Sequence, residues 1–295
     1  MYTFFKRWRI PKAEPLGARR NERNVFALWK PTIFVLLSSD RRERIKLSTY
    51  TQLITRNRVQ AQPARKEDET MTRNYFDKEL LKLHRELTEM GRRVDEIMSE
   101  TLFALKRQDR EAARRVVEGD DEIDGMENQI EQMCMNLICR QQPMAGDLRV
   151  ITATLKLITD VERIADQCAD IGEILIKMGE APYVKPLIHL PLMLDTARSM
   201  FARAIKAYIT RDVELAKAVC MDDNIIDDNF STVVMELCNI IAEKGTSVRQ
   251  AVDLLLIAKY IERIGDHTTN IAEWVIFMAT GEHLDLNVHE TPAGE

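Results

Sequence analysis

The amino-acid sequence predicts an all-α protein built as two tandem three-helix bundles, six helices joined by an internal repeat. Three observations carry this expectation. From residue 71 onward the composition is dominated by Ala, Leu, Ile, Met, Glu, Asp and Arg, with little Gly, which leans towards long helices. Proline is absent from 71–142 and 192–291, and helix interiors exclude it. Finally, the halves resemble each other. ITRDVELAKAVCMDDNIID (209–227) lies on KRQDREAARRVVEGDDEID (106–124) with a shift of 103. DLRVITATLKLITDVERIAD (147–166) meets SVRQAVDLLLIAKYIERIGD (247–266) with a shift of 100. The difference falls between the blocks, where QQPMAGD faces EKGTS, and a length change confined to a loop marks duplicated structural units.

Taken in order, the first helix is expected near 74–107. Asp109 is a good N-cap for a second helix over 109–140. Pro143–Asp147 closes that helix and opens a third, 147–178. The proline-rich stretch APYVKPLIHLP (181–191) reads as the connection between the halves. The pattern then repeats over 190–209, 212–243 with Asp212 as N-cap, and 247–280. The expected divisions are a first bundle at 71–180, a linker at 181–191, a second bundle at 192–283 and a tail at 284–295. Each amphipathic helix must bury its apolar stripe against the other two of its bundle. Residues 1–70 stand apart, with basic clusters (RRNER, RRERIK), prolines and no sustained period. They read either as a basic extension or as the product of a mis-assigned start upstream of Met71.

Charge separates the same regions. Residues 1–70 carry 16 Lys/Arg against 7 Asp/Glu, and residues 71–295 carry 26 against 40. An acidic helical body argues against a nucleic-acid partner, because phosphate contacts need clustered cations. It suits cations or a basic protein surface. Five cysteines without a CxxC pair fit a reducing compartment in which thiols act as small core residues. The apolar run TIFVLL (32–37) is far short of the roughly 18 residues that a membrane span needs.

The chemistry-bearing feature is a repeated pair of acids on an apolar helix. Val161-Glu-Arg-Ile-Ala-Asp166 returns as Ile261-Glu-Arg-Ile-Gly-Asp266. At about 100° per residue, Glu162 shares its face with Ile151, Leu155 and Ile158, and Glu262 with Ala251, Leu255 and Ala258. The middle helices hold a second pair at the same spacing, Asp120 with Asp124 and Asp223 with Asp227. Carboxylates at i and i+4 repel, and partial burial costs several kcal/mol more unless a cation compensates. Where the middle and third helices run antiparallel, the pairs converge into four-oxygen sites for hard or borderline cations. The competing reading is a surface salt-bridge ladder, because Arg163 and Arg263 reach Asp166 and Asp266 at i+3. Repetition in both halves favours convergence. No ExxH pair, Gly-rich phosphate loop or nucleophile elbow occurs, so a non-enzyme is expected. A metal-dependent hydrolytic enzyme and a helical scaffold without metal remain the alternatives.

At these residues the sequence resembles the PhoU family of phosphate-signalling regulators, on the tandem halves, VERIAD, IERIGDHTTNIAE, PMAGDLR and TGEH, over about 71–283. The resemblance implies six helices in two three-helix bundles, with E(D)xxxD motifs that bind multinuclear iron or zinc. Carried over, it implies one metal set of Asp120, Asp124, Glu162 and Asp166, and another of Asp223, Asp227, Glu262 and Asp266. Asp170 and Asn270 continue the rows at i+8. The second half has Phe230 and Val234 where the first has Glu127 and Glu131, so the two sites need not bind alike. The implied role is negative regulation of the phosphate-starvation response and of phosphate uptake. The protein would be a cytoplasmic, homodimeric adaptor between the ATPase of a phosphate ABC transporter and a sensor histidine kinase, reaching the membrane only through these partners.

Overall fold

The computed structural model describes residues 66–141, 143–179, 181–243 and 248–282, with side chains from Tyr75 onward. Most of the expected 1–70 extension and the tail at 284–295 lie outside the described residues. Among the described residues the chain forms seven helical segments and no strand. They are α1 (Lys66–Arg107), α2 (Arg110–Glu118), α3 (Asp120–Gln141), α4 (Ala145–Met178), α5 (His189–Thr210), α6 (Val213–Ala242) and α7 (Val248–Thr280). Together α2 and α3 occupy the place of the single second helix expected from sequence. The six helical positions are therefore present, with one of them broken.

That break is at Gly119, which takes helical angles (φ −75°, ψ −14°) and ends α2, so that α3 starts afresh at Asp120. The new first turn carries Asp120, Asp121 and Glu122 at the positive end of the helix dipole. In the second half Asp222 stands at the matching position and α6 runs through without interruption. The expected N-caps form. The Asp109 carboxylate accepts from the Glu111 and Ala112 amides at 3.0 Å, and Asp212 accepts from the Leu215 amide at 3.0 Å. Two boundaries differ from expectation. Helix α1 starts at Lys66 rather than near 74, because KEDET holds no breaker and places acids at the favourable helix end. Helix α5 starts at His189, so Pro191 belongs to its first turn, where a missing N–H removes no helical bond.

Helices α4 and α7 are the central pair. Ile151, Leu157, Ile158, Val161, Ile164 and Ile171 of α4 are buried, as are Leu254, Ile257, Ile261, Ile264, Ile271 and Val275 of α7. The two run antiparallel. Asp160 accepts from His267 Nδ1 at 2.9 Å and from Asn270 Nδ2 at 3.2 Å, while Tyr260 hydrogen-bonds Asp170 further along. Around them, α1, α2 and α3 pack on α4, and α5 and α6 pack on α7. Helices α1 and α5 also touch, so both bundles share one hydrophobic core. Gly172 makes the α2–α4 contact possible: a Cβ there would lie 2.9 Å from the Ala113 carbonyl oxygen. No helix among the described residues is long and apolar enough to cross a membrane.

Polar groups also tie the bundles. From sequence, His84 reads as solvated or capping, and the structure corrects this. His84 Nδ1 is 2.6 Å from the buried Tyr208 hydroxyl, which is also 3.1 Å from the Thr154 hydroxyl. Burial, helped by the nearby Arg211 charge, lowers the His84 pKa and keeps the ring neutral. This network links α1, α4 and α5. Tyr208→Phe keeps the ring and strands two partners, so it should cost about 1–3 kcal/mol. Urea denaturation should show a lower midpoint at unchanged slope.

Candidate metal centre

The antiparallel run of α3 and α4 brings the first acidic set together. Asp124, Glu162 and Asp166 each offer an oxygen, and these oxygens lie within 4.8 Å of one another. Asp120, one turn before Asp124, belongs to the same field, since Asp166 and Asp124 both raise its pKa. Glu162 is mostly buried, with 14% of its side chain exposed. Its Oε2 is buried without a hydrogen bond and has the Arg163 Nε at 3.4 Å. Asp120 Oδ1 is likewise buried with no hydrogen-bond partner. Leaving such oxygens unsatisfied is costly in a folded chain.

The electrostatics follow from that geometry. Burial first, then the Asp166 charge, pushes the Glu162 carboxyl up to about 7. Burial, with Asp166 and Asp124, pushes Asp120 up to about 6. Asp124 and Asp170 are raised as well, again mainly by burial and then by Asp166. The salt-bridge ladder is partly realised, because Arg163 reaches Asp166 at 2.8 Å. Among the described residues the Arg163 guanidinium, itself about half exposed, acts on Asp124, Glu162 and Asp166 but is not among the charges that act on Asp120. The set is short of positive charge.

In the second half α6 and α7 run antiparallel and place Asp223, Asp227, Glu262 and Asp266 in one field. Asp227 and Asp266 both raise Asp223, and Glu262 raises Asp266. Asp223 is the most buried of the eight acids predicted from sequence, at 6% exposure. Burial first, then Asp227 and Asp266, pushes it to about 7, with the Thr269 hydroxyl opposing. The reason for this depth is Gly265. A Cβ there would lie 2.5 Å from Asp223 Oδ1, so the missing methyl forms the cradle. The first half has Ala165 at that place, and its Asp120 stays half-buried. The change from VERIAD to IERIGD thus records a difference in how deeply the facing aspartate sits.

The halves differ in a second way. Thr159 donates to Glu127 Oε1 at 3.0 Å beside the first set, and the Glu127 charge raises Glu162. At the matching positions stand Lys259 and Phe230. Lys259 Nζ lies 2.6 and 2.5 Å from the two oxygens of Glu262 and 5.5 Å from the Phe230 ring centre. Arg263, expected from sequence to serve Asp266, also acts on Asp170 of the other half, where its charge opposes a rise caused mainly by burial and Asp166. Lys259 and Gly265 were not among the predicted site residues. Comparing them with Thr159 and Ala165 in the repeat alignment is the signal that reveals them.

Buried, unsatisfied oxygens in an all-carboxylate donor set suit a hard or borderline cation. Asp124, Glu162 and Asp166, with Asp120 beside them, would hold it. Such an ion would neutralise the repulsion that these residues otherwise carry. The cysteines add no ligand cluster among the described residues: Cys134 and Cys168 are buried thiols pushed up to about 12, and Cys238 is exposed rather than in the core.

Fold and site define the class: a duplicated three-helix-bundle protein with matched carboxylate sets between the middle and third helices of each half. The family model described as the PhoU domain matches twice, over residues 87–175 and 190–275, one match in each bundle. The chain belongs to the PhoU family. It is 36% identical over 218 residues to a phosphate-specific transport system accessory protein PhoU homolog of Clostridium acetobutylicum, covering 74% of this chain and 100% of that one. A homolog of the same description from Aquifex aeolicus is 34% identical, with 70% and 93% covered. Among solved structures, PhoU from Pseudomonas aeruginosa superposes with a TM-score of 0.68 at 30% identity, covering 70% of this chain and 100% of that one. The phosphate transport system regulatory protein PhoU from Streptococcus pneumoniae gives 0.67 at 26% identity, with 71% and 99% covered.

Proposed function

We propose that this chain regulates phosphate transport and restrains the phosphate-starvation response. It acts as a cytoplasmic, dimeric adaptor between the ATPase of a phosphate ABC transporter and a sensor histidine kinase, and catalyses no reaction of its own. The observation that carries the reading is the match to the Clostridium homolog over that protein's whole length, since its name is that of a phosphate transport accessory protein. The Streptococcus relative is a phosphate transport system regulatory protein and supports the same direction. Both carboxylate sets hold metal ions in this reading, iron or zinc, in multinuclear form. The support is chemical: buried oxygens without partners in the first set, and one deeply buried acid, Asp223, in the second.

An adaptor shifts a kinase between two states only by binding one of them more tightly, and each tenfold preference is worth about 1.4 kcal/mol. Metal held between helices of a bundle would fix the surface that such a partner reads. Deleting the gene and following a phosphate-repressed reporter in high phosphate tests the role. Derepression is expected, with repression restored by the intact gene in trans. A reporter that stays repressed in the deletion strain overturns it.

A further inference from the structure

We infer that Lys259 is the resident cation of the second carboxylate set, so that the halves differ in their demand for metal. The first set takes a divalent transition-metal cation, whereas the second is closed largely by its own ammonium group. This inference rests on the reading that the carboxylate sets hold metal, and it revises that reading for the second set, where the ammonium competes with the ion.

The argument is a paired substitution read through the repeat. Thr159 and Glu127 form one contact between α3 and α4, with the threonine hydroxyl donating at 3.0 Å. The equivalent contact between α6 and α7 is made by Lys259 and Phe230. One exchange deletes a carboxylate and the other adds a cation, both beside the motif glutamate. The ammonium is held from two sides. It contacts both Glu262 oxygens, at 2.6 and 2.5 Å, and sits 5.5 Å from the centre of the Phe230 ring, whose face attracts cations. Glu262 is as buried as Glu162, with 14% of each side chain exposed, while the Lys259 side chain is about half exposed, so the pair sits at the boundary between core and solvent. A metal ion entering the second set must displace the ammonium from both oxygens before it can use Glu262. In the first set Glu162 has only the Arg163 Nε at 3.4 Å and an oxygen with no hydrogen bond. Among the described residues, the grouping of three carboxylate oxygens within 4.8 Å lies in the first set.

Metal binding to the full chain tests this. The protein is stripped with a chelator, titrated with Mn(II) or Zn(II), and assayed for bound metal per chain by elemental analysis after desalting. Placing the variants in a Glu162→Ala background silences the first set, so that remaining binding reports the second. In that background Lys259→Thr, which copies the first half, should tighten binding at least tenfold, and Lys259→Arg should leave it unchanged. Thr159→Lys in the otherwise intact chain should weaken binding by the first set at least tenfold, which gives a reading even should the Lys259 variant fold poorly. Equal affinity with and without Lys259, together with an unaffected Thr159→Lys variant, overturns the inference while metal binding itself stands. No metal held by the intact chain or any variant overturns the underlying reading, and this inference falls with it.

Discussion

Glu162→Ala is expected to lower the affinity of the first carboxylate set for divalent metal by about 100-fold or more. Even groups that only support a ligand cost about 10–100-fold when removed, and Glu162 supplies one of the three oxygens that meet within 4.8 Å. The loss should also change shape with pH. Burial and the Asp166 charge hold the Glu162 carboxyl at about 7, and Asp120 is held at about 6. A metal must displace those protons, so affinity of the intact chain should fall as pH is lowered from about 8 to about 5. Without Glu162 the part of that fall centred near 7 should disappear, leaving the part due to Asp120. Competition against a chelator at a series of pH values, on protein purified without a histidine tag, reads both effects. Unchanged retention in the variant would show that Glu162 is only a neighbour of Arg163 and no ligand.

Much of this was legible in the sequence because duplication wrote it twice. The proline-free stretches, the N-caps Asp109 and Asp212, and the apolar faces of α4 and α7 follow from rules that act within one helix. The convergence of Asp120, Asp124, Glu162 and Asp166 needed one further assumption, an antiparallel hairpin, which a short loop such as QQPMAGD favours. What escaped depends on contacts between helices. Gly119 is an ordinary interior glycine by sequence, yet it divides the second helix and puts Asp120 at a helix start. His84 reads as a surface residue until Tyr208 and Thr154 arrive from two other helices. Arg263 has an aspartate at i+3, yet its charge also acts on Asp170, because the antiparallel α4–α7 pair brings a carboxylate of the other half alongside.

The cross-bundle contacts show how duplicated halves become unequal. Under the shift of 100, Asp160 matches Tyr260 and Asp170 matches Asn270. The contact of Asp160 with Asn270 and that of Tyr260 with Asp170 are therefore two copies of one contact, related by the pseudo-symmetry of the halves. In both copies the first half supplies the acid and the second supplies the donor. An interface with acceptors on α4 and donors on α7 pairs the two halves with each other, whereas two copies of α4 would set carboxylates face to face. Lys259 against Thr159 is the same kind of divergence beside the acidic sets.

Asp223→Asn should stabilise the metal-free chain at pH 8, by about 2–4 kcal/mol, although it removes a charged side chain from a repeated motif. The carboxyl is only 6% exposed and is pushed from 3.8 to about 7 by burial and by the Asp227 and Asp266 charges. Each pKa unit corresponds to about 1.4 kcal/mol. The sign is set by which state ionises first. In the unfolded chain the aspartate loses its proton near 4, and in the folded chain near 7. Below about 4 both states are neutral and the group costs nothing. Between about 4 and 7 the unfolded state gains the ionisation that the folded state refuses, so stability falls as pH rises. Above about 7 the cost is complete and constant. Asparagine keeps the volume that fills the Gly265 cradle and cannot ionise, so its advantage should be absent near pH 4, grow to about pH 7 and then level off. Urea denaturation in the presence of a chelator, at several pH values, measures that curve. A variant less stable than the parent at pH 8 would mean that the folded chain welcomes the charge, with Lys259 neutralising Asp223 as well as the Glu262 oxygens it touches.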